Sequence, residues 1–274
     1  MTHFTESASQ IAREAGAIIE NFQRQGVQFE LKGEADLITI ADRQSELHVT
    51  SRLRELFPDH SIVAEEGNNT QAASGYRWYV DPVDGTTNFA HSFPCYNVTL
   101  ALEKDGELIA GVVYDPTRDE LFTAEKCAGA YLNGRRITTS PTARLEDALY
   151  STGFPSRQRH LNINIHFYYQ LAMISHGVRR TGSAAIDLAW LACGRIDGFW
   201  EFGLNPWDMA AGKLLVAEAG GTVTDMHNDP HCILSSRTIL ATNTHIHAAT
   251  VALFDDIFSG RSPYSIPQVS TYQR

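Results

Sequence analysis

The sequence predicts a layered α+β architecture, and two observations predict it. Segments with apolar residues at helical spacing alternate with short apolar strands, and several strands come in hairpin groups separated by turn chemistry, which argues against a doubly wound sheet. Residues 6–25 place Ala8, Ile11, Ala12, Ala15, Ile18, Ile19 and Phe22 on one stripe, an amphipathic helix. Residues 29–33 form a short strand and turn, and residues 41–57 a second helix that Pro58 ends. Strands follow at 61–64, 77–80, 98–102, 108–114 and 120–124. The separators Lys104-Asp-Gly106 and Asp115-Pro-Thr-Arg118 predict an antiparallel meander.

After residue 145 the pattern shifts. A strand at 149–153 precedes a helix over 162–176, then a strand at 178–181 enters a helix over 184–193. A strand at 198–201 leads to a helix over 205–219, which Gly220-Gly221 stops. A strand at 238–242 and a helix over 244–258 close the pattern. The expected organisation is therefore an N-terminal α+β half over 1–145, a C-terminal α/β half over 146–260, and a loosely ordered tail over 261–274, which has proline, serine and no apolar period.

Composition narrows the function. At 274 residues, 43% hydrophobic and 20% charged, the chain is an ordinary globular protein. No stretch approaches the roughly 20 apolar residues of a membrane span. The N-terminus lacks the basic start and apolar core of a signal peptide, so a cytoplasmic location is expected. Cys95, Cys127, Cys193 and Cys232 are scattered without a Cys-x-x-Cys pair, which argues against a zinc knuckle or a disulfide framework. A net charge of −10 repels nucleic acid, while a cation-filled pocket could still accept a small phosphate ester.

The run from Trp78 to His91 carries the chemistry. An apolar strand stops at two acids, Asp81 and Asp84, and Gly85-Thr86-Thr87 follows at once. Carboxylates bind hard cations, and the N–H groups of a turn or helix start bind phosphate. Glu65 ends another strand and Asp208 stands at a helix start, both with few bases nearby. If the four acids converge, divalent cations are the natural partners, and oxygen-only ligation favours Mg²⁺ over zinc. Singly, each acid also has an ordinary use: Asp81-Pro and Asp84-Gly are common turn pairs, Asp208 is a good helix N-cap, and Glu65-Glu66-Gly67 suits a solvated loop.

Asp81-Pro-Val-Asp-Gly-Thr-Thr-Asn88 resembles the first signature of the inositol monophosphatase family. Pro206-Trp-Asp-Met-Ala-Ala-Gly212, continuing to Glu218-Ala-Gly-Gly221, resembles the second, and Glu65-Glu66-Gly67 matches the family's acidic loop. The resemblance implies an αβαβα sandwich of the inositol monophosphatase and sugar phosphatase type. It implies Mg²⁺ ligands at Glu65, Asp81, the Val83 carbonyl, Asp84 and Asp208. It places phosphate contacts at Gly85 and Thr86, and an acid, Asp42, that holds the Thr86 hydroxyl. It implies substrate contacts at Asp84, Asp208, Glu201 and the turn Gly182-Ser183-Ala184. The expected catalytic residues are Glu65, Thr86 and Asp42, which aim a water for in-line attack on a phosphate monoester. The resemblance also suggests lithium sensitivity and a homodimer.

Ser92-Phe-Pro94 and Glu201 look closer to the inositol branch than to phosphatases of histidinol phosphate, fructose 1,6-bisphosphate or nucleotide 3′-phosphates. A non-catalytic regulatory protein with the same fold is the competing class. Asn88 to His91 could position the loop, with His91 structural. His160, His166 and His176 show no metal spacing. Trp207 reads as a core anchor, and Arg179 and Arg180 as solvated or paired charges.

Overall fold

The computed structural model describes residues 1–26, 29–31, 37–154, 162–231 and 233–268. Helix α1 (His3–Gln25) turns Ala8, Ile11, Ala12, Ala15 and Ile19 inward, the stripe its spacing predicts. Strands β1 (Phe29–Leu31) and β2 (Leu37–Thr39) pair as an antiparallel ribbon. The rest of the strand and turn expected over 29–33 lies outside the described residues. Helix α2 (Ile40–Leu56) starts in a capping box: Ala41 N–H donates to Thr39 Oγ1 at 3.1 Å, and Asp42 Oδ2 accepts from Thr39 N–H at 2.8 Å.

Next come β3 (Ser61–Ala64), β4 (Tyr76–Asp84), the short α3 (Thr86–Ala90), β5 (Asn97–Lys104), β6 (Glu107–Asp115), β7 (Glu120–Glu125), β8 (Gly129–Leu132) and β9 (Arg135–Ile137). They form a seven-stranded sheet in that order. From β4 onward the pairing is the expected antiparallel meander. The first pair differs: β3 runs parallel to β4. A hairpin turn cannot make that connection, and residues 65–75 carry the chain back.

The second sheet is mixed. It uses β10 (Leu149–Thr152), β11 (Gly177–Arg179), β12 (Gly198–Phe202), β13 (Thr222–Thr224) and β14 (Thr238–Thr242) in the order β11-β10-β12-β14-β13. Its helices are α4 (Asn164–Ile174), α5 (Ala184–Ala192), α6 (Pro206–Glu218), α7 (Ile233–Ser236) and α8 (His247–Phe258). The strands β8, β9 and β13 escape a sequence reading because they are only three or four residues long, and β9 and β13 also lie at sheet edges. Helix α8 begins at His247 rather than at residue 244, because Thr244 takes a left-handed backbone (φ 72°) that cannot continue a helix.

Three apolar clusters define five layers. The first joins α1 and α2 to one face of the seven-stranded sheet through Ile11, Ile19, Leu53, Trp78, Val80 and Leu100. The second fills the space between the sheets with α5 and α6 against Tyr79, Val113, Phe122 and Phe199. The third packs α4 and α8 on the outer face of the second sheet around Phe167, Trp200 and Phe254. The result is the αβαβα sandwich. Residues 261–268 of the tail carry no helix or strand. Buried Gln170 donates from Nε2 to Tyr264 O at 2.7 Å and accepts from Tyr264 N–H at 2.9 Å, so side chain replaces strand pairing there. Among the described residues no helix is long and apolar enough to cross a membrane.

Candidate active site

Strand β4 does not stop at its first acid, as the sequence suggested, but runs through to Asp84. Its pairing with β5 shifts register between Asp81 and Asp84. Pro82 supplies no N–H to the ladder, so a bulge forms there. The Val83 N–H is satisfied locally by Asp81 Oδ1 at 3.0 Å. The bulge turns both acids toward one end of the sheet. Gly85 then takes a left-handed backbone (φ 91°), and a Cβ there would lie 2.8 Å from Cys95 O, so only glycine fits. Thr86 follows at the start of α3, its hydroxyl 3.0 Å from both Asp42 Oδ1 and the Val83 carbonyl.

The four acids come together. Asp81 is buried, and its carboxyl is pushed well above the usual range by burial first, then by the negative charges of Glu65, Asp84 and Asp208. Glu65 is brought beside β4 by its N–H, which donates to Val80 O at 3.2 Å. Asp208 is not the N-cap that a single-residue reading allows. Asn205 takes the cap, Pro206 the first helical position, and Asp208 accepts from Asn205 N–H at 2.6 Å.

Asp84 is held from β5 and from the start of α5. Its Oδ2 accepts from Ser183 Oγ at 2.7 Å, Ala185 N–H at 2.9 Å and Asn97 Nδ2 at 3.0 Å. Burial raises its pKa and these donors oppose the rise. Ser183, in the turn expected to meet substrate with Gly182 and Ala184, is buried and spends its hydroxyl on Asp84 and on capping α5. Asn88 ties the phosphate-side turn to this one, donating to Cys95 O at 2.7 Å and Thr181 O at 2.8 Å.

Glu201 lies on β12 at the same end. Burial, then the charges of Asp187, Asp208 and Asp84, raise its pKa well above normal, with Arg180 opposing. Arg180 itself is exposed, as expected of a solvated charge. Behind Glu201 stands Gly153, where a Cβ would sit 2.1 Å from both carboxylate oxygens.

Such an oxygen-only set of acids could hold hard divalent cations, and the charges pressing on Asp81 are the kind a cation relieves. Among the described residues no three or more His, Cys, Asp or Glu side chains are so placed that they could hold a metal ion without moving. The acids crowd one another instead.

The family model described as the inositol monophosphatase family matches residues 1–258. This chain belongs to the inositol monophosphatase family. An inositol-1-monophosphatase of Synechocystis is 46% identical over 245 residues, covering 88% of this chain and 85% of its own. The Nus factor SuhB of Pseudomonas aeruginosa is 43% identical, covering 86% of this chain and 90% of its own. The crystal structure of the extragenic suppressor protein suhB of Bartonella henselae superposes with a TM-score of 0.87 at 40% identity, covering 92% of this chain and 98% of that one.

In this member of the inositol monophosphatase family, several contributors escaped the sequence reading. Asn97, Gly153 and Asp187 belong to no recognised run. Glu46 could have been found, as an acid on the buried face of an amphipathic helix one turn beyond Asp42. Glu218, inside the second signature, lies away from the acids and accepts from Cys127 N–H at 2.7 Å and Gly129 N–H at 2.8 Å. Trp207 packs on the inter-sheet core as expected. His166 and His176 are exposed, while His160 and Cys232 lie outside the described residues.

Proposed function

We propose that this chain hydrolyses a small phosphate monoester, myo-inositol monophosphate first, with Mg²⁺ as cofactor. The observation that carries the reading is the convergence of Glu65, Asp84 and Asp208 on buried Asp81, directly beside the Gly85-Thr86 turn. Glu65, Asp81, the Val83 carbonyl, Asp84 and Asp208 would hold the cations. When bound, Mg²⁺ neutralises phosphoryl oxygens, makes a nucleophile of water at neutral pH and steadies the leaving alkoxide.

The chain's own groups do the positioning. The Gly85 and Thr86 N–H groups donate to the phosphoryl oxygens. Asp42 accepts the hydrogen bond that the Thr86 hydroxyl donates, so the hydroxyl oxygen keeps its lone pairs to accept from the attacking water. Glu65 orients that water from the other side, and attack is in line without a phosphoenzyme. Glu201 and the turn at Gly182, Ser183 and Ala184 face the hydroxyl-bearing leaving group. The likeness to an inositol-1-monophosphatase at 46% identity supports the inositol ester over histidinol phosphate, fructose 1,6-bisphosphate and nucleotide 3′-phosphates. The experiment is phosphate release from all four ester classes with and without Mg²⁺. Preference for one of the last three moves the substrate and leaves the chemistry.

A second reading has a specific observation behind it: relatives named Nus factor SuhB match at up to 43% identity. It makes this chain a regulatory protein that keeps the fold, and it predicts no turnover of any ester. A cytoplasmic homodimer also belongs to the proposal. Exposed Phe93, Ile163, Ile165 and Met173 are apolar surface that a second copy would cover, and light scattering on the purified protein measures the mass directly.

A further inference from the structure

Glu46 is fully buried on α2, one helical turn beyond Asp42. A buried carboxylate is costly unless donors surround it. The donors here come from one place, the loop that follows Glu65. Glu46 Oε2 accepts from Glu66 N–H at 2.6 Å, and Oε1 accepts from Asn68 N–H at 3.0 Å and Asn68 Nδ2 at 2.8 Å.

The same face of α2 makes two other reaches. Asp42 accepts from the Thr86 hydroxyl at 3.0 Å, and Ser45 Oγ donates to the Pro82 carbonyl at 3.3 Å. Positions three and four apart on a helix share a face, with Cβ atoms about 5–6 Å apart. One rigid helical turn thus spans the acidic loop, the bulge between the two β4 acids, and the phosphate-side turn. Loops alone would let these three segments drift independently.

We propose that Glu46 is a positioning residue of the hydrolytic reaction. It fixes the backbone after Glu65, so that Glu65 and Thr86, both referenced to α2, face one water. The inference rests on the proposed hydrolysis and adds to it a residue outside both signatures and outside the acid cluster. Glutamine at this position keeps the shape but turns an NH₂ toward amides that need acceptors, so the loop is released while the helix stays.

The test compares wild type, Glu46→Gln and Leu53→Ala. Leu53 is a buried core residue of the same helix, away from the three reaches, and lowers stability without touching the loop. Hydrogen exchange on the Mg²⁺-free proteins should show faster exchange over residues 65–69 in Glu46→Gln and not in Leu53→Ala. With inositol 1-phosphate and Mg²⁺ both saturating, kcat of Glu46→Gln should fall roughly ten- to a hundredfold, as for other groups that orient ligands. Its KM should stay within about twofold, because ester binding is untouched, and Leu53→Ala should keep kcat per folded molecule. Unchanged exchange over 65–69 overturns the proposal. So does a kcat loss in Glu46→Gln no larger than in Leu53→Ala. If wild type releases no phosphate from any ester, the hydrolase reading itself falls and Glu46 is left as a loop anchor, which the exchange data still report.

Discussion

The Thr86 hydroxyl stands 3.0 Å from Asp42 Oδ1, joining the start of the short α3 to a residue of α2 that lies 44 positions earlier in the chain. A hydroxyl has one proton, and the nearby Val83 carbonyl, also at 3.0 Å, competes for it. A carboxylate is the stronger acceptor. Asp42→Asn therefore weakens the acceptor while keeping the shape. Its kcat should drop roughly ten- to a hundredfold with KM little changed, and Thr86→Ser, which keeps the hydroxyl, should stay much closer to wild type. Steady-state kinetics on the three proteins decides this.

Crowded acids also set a stability prediction. Asp81 is held against three like charges in a buried position. Without cations, Asp81→Asn removes that repulsion and can keep the Val83 N–H bond through its amide oxygen. The variant should melt about 2–4 °C higher than wild type in chelator, for a gain of about 1 kcal/mol, and should lose phosphate release. Equal or lower melting in chelator would show that the repulsion is already relieved by other means.

Gly153 has a steric prediction. A methyl group there would collide with both oxygens of Glu201. Gly153→Ala should push Glu201 off its place and remove a contact to the leaving group. KM for inositol 1-phosphate should rise roughly tenfold or more, as expected for losing a hydrogen bond to a charged group. Phosphate release from a small aryl phosphate without polyol hydroxyls should be affected much less.

Asp187 links the site to pH. Burial raises its carboxyl from 3.8 to about 8 against the hydrogen bonds of Ser151 and Thr181, and among the described residues its Oδ1 meets no donor. The fold then keeps a proton that the unfolded chain has released. This contribution to stability is full below the unfolded value of 3.8 and is lost as pH rises toward about 8. Asp187→Asn is neutral throughout. Its melting temperature relative to wild type, measured without Mg²⁺, should climb steadily between pH 5 and 8, where a flat difference would contradict the burial argument.

Much of this was legible in the sequence, for physical reasons particular to each element. The α1 stripe and the Asn205-Pro206 helix start are local signals that short spacing carries; the capping box at Thr39 and Asp42 is equally local but appears only in the structure. The acids at 65, 81, 84 and 208 were visible because each ends or begins an element. Less visible was anything set by tertiary contact. The parallel β3–β4 pair depends on how residues 65–75 return, and the continuation of β4 depends on a bulge absorbing Pro82. The bond from Ser183 to Asp84 spans 99 positions, a distance in sequence that no local pattern bridges. Gly153 matters only because Glu201 folds against it. Gln170 meets the Tyr264 backbone through side-chain bonds that no apolar period announces.

In the proposed function Asp84, held by Ser183, Asn97 and Ala185, belongs to a cation-dependent phosphatase site. The most direct test is the rate of phosphate release from inositol 1-phosphate as Mg²⁺ is varied, for wild type and Asp84→Asn, with folding checked by circular dichroism. The account predicts saturable Mg²⁺ activation in wild type and loss of that activity in a folded Asp84→Asn. Undiminished turnover in the variant, or wild-type turnover indifferent to Mg²⁺, would contradict it.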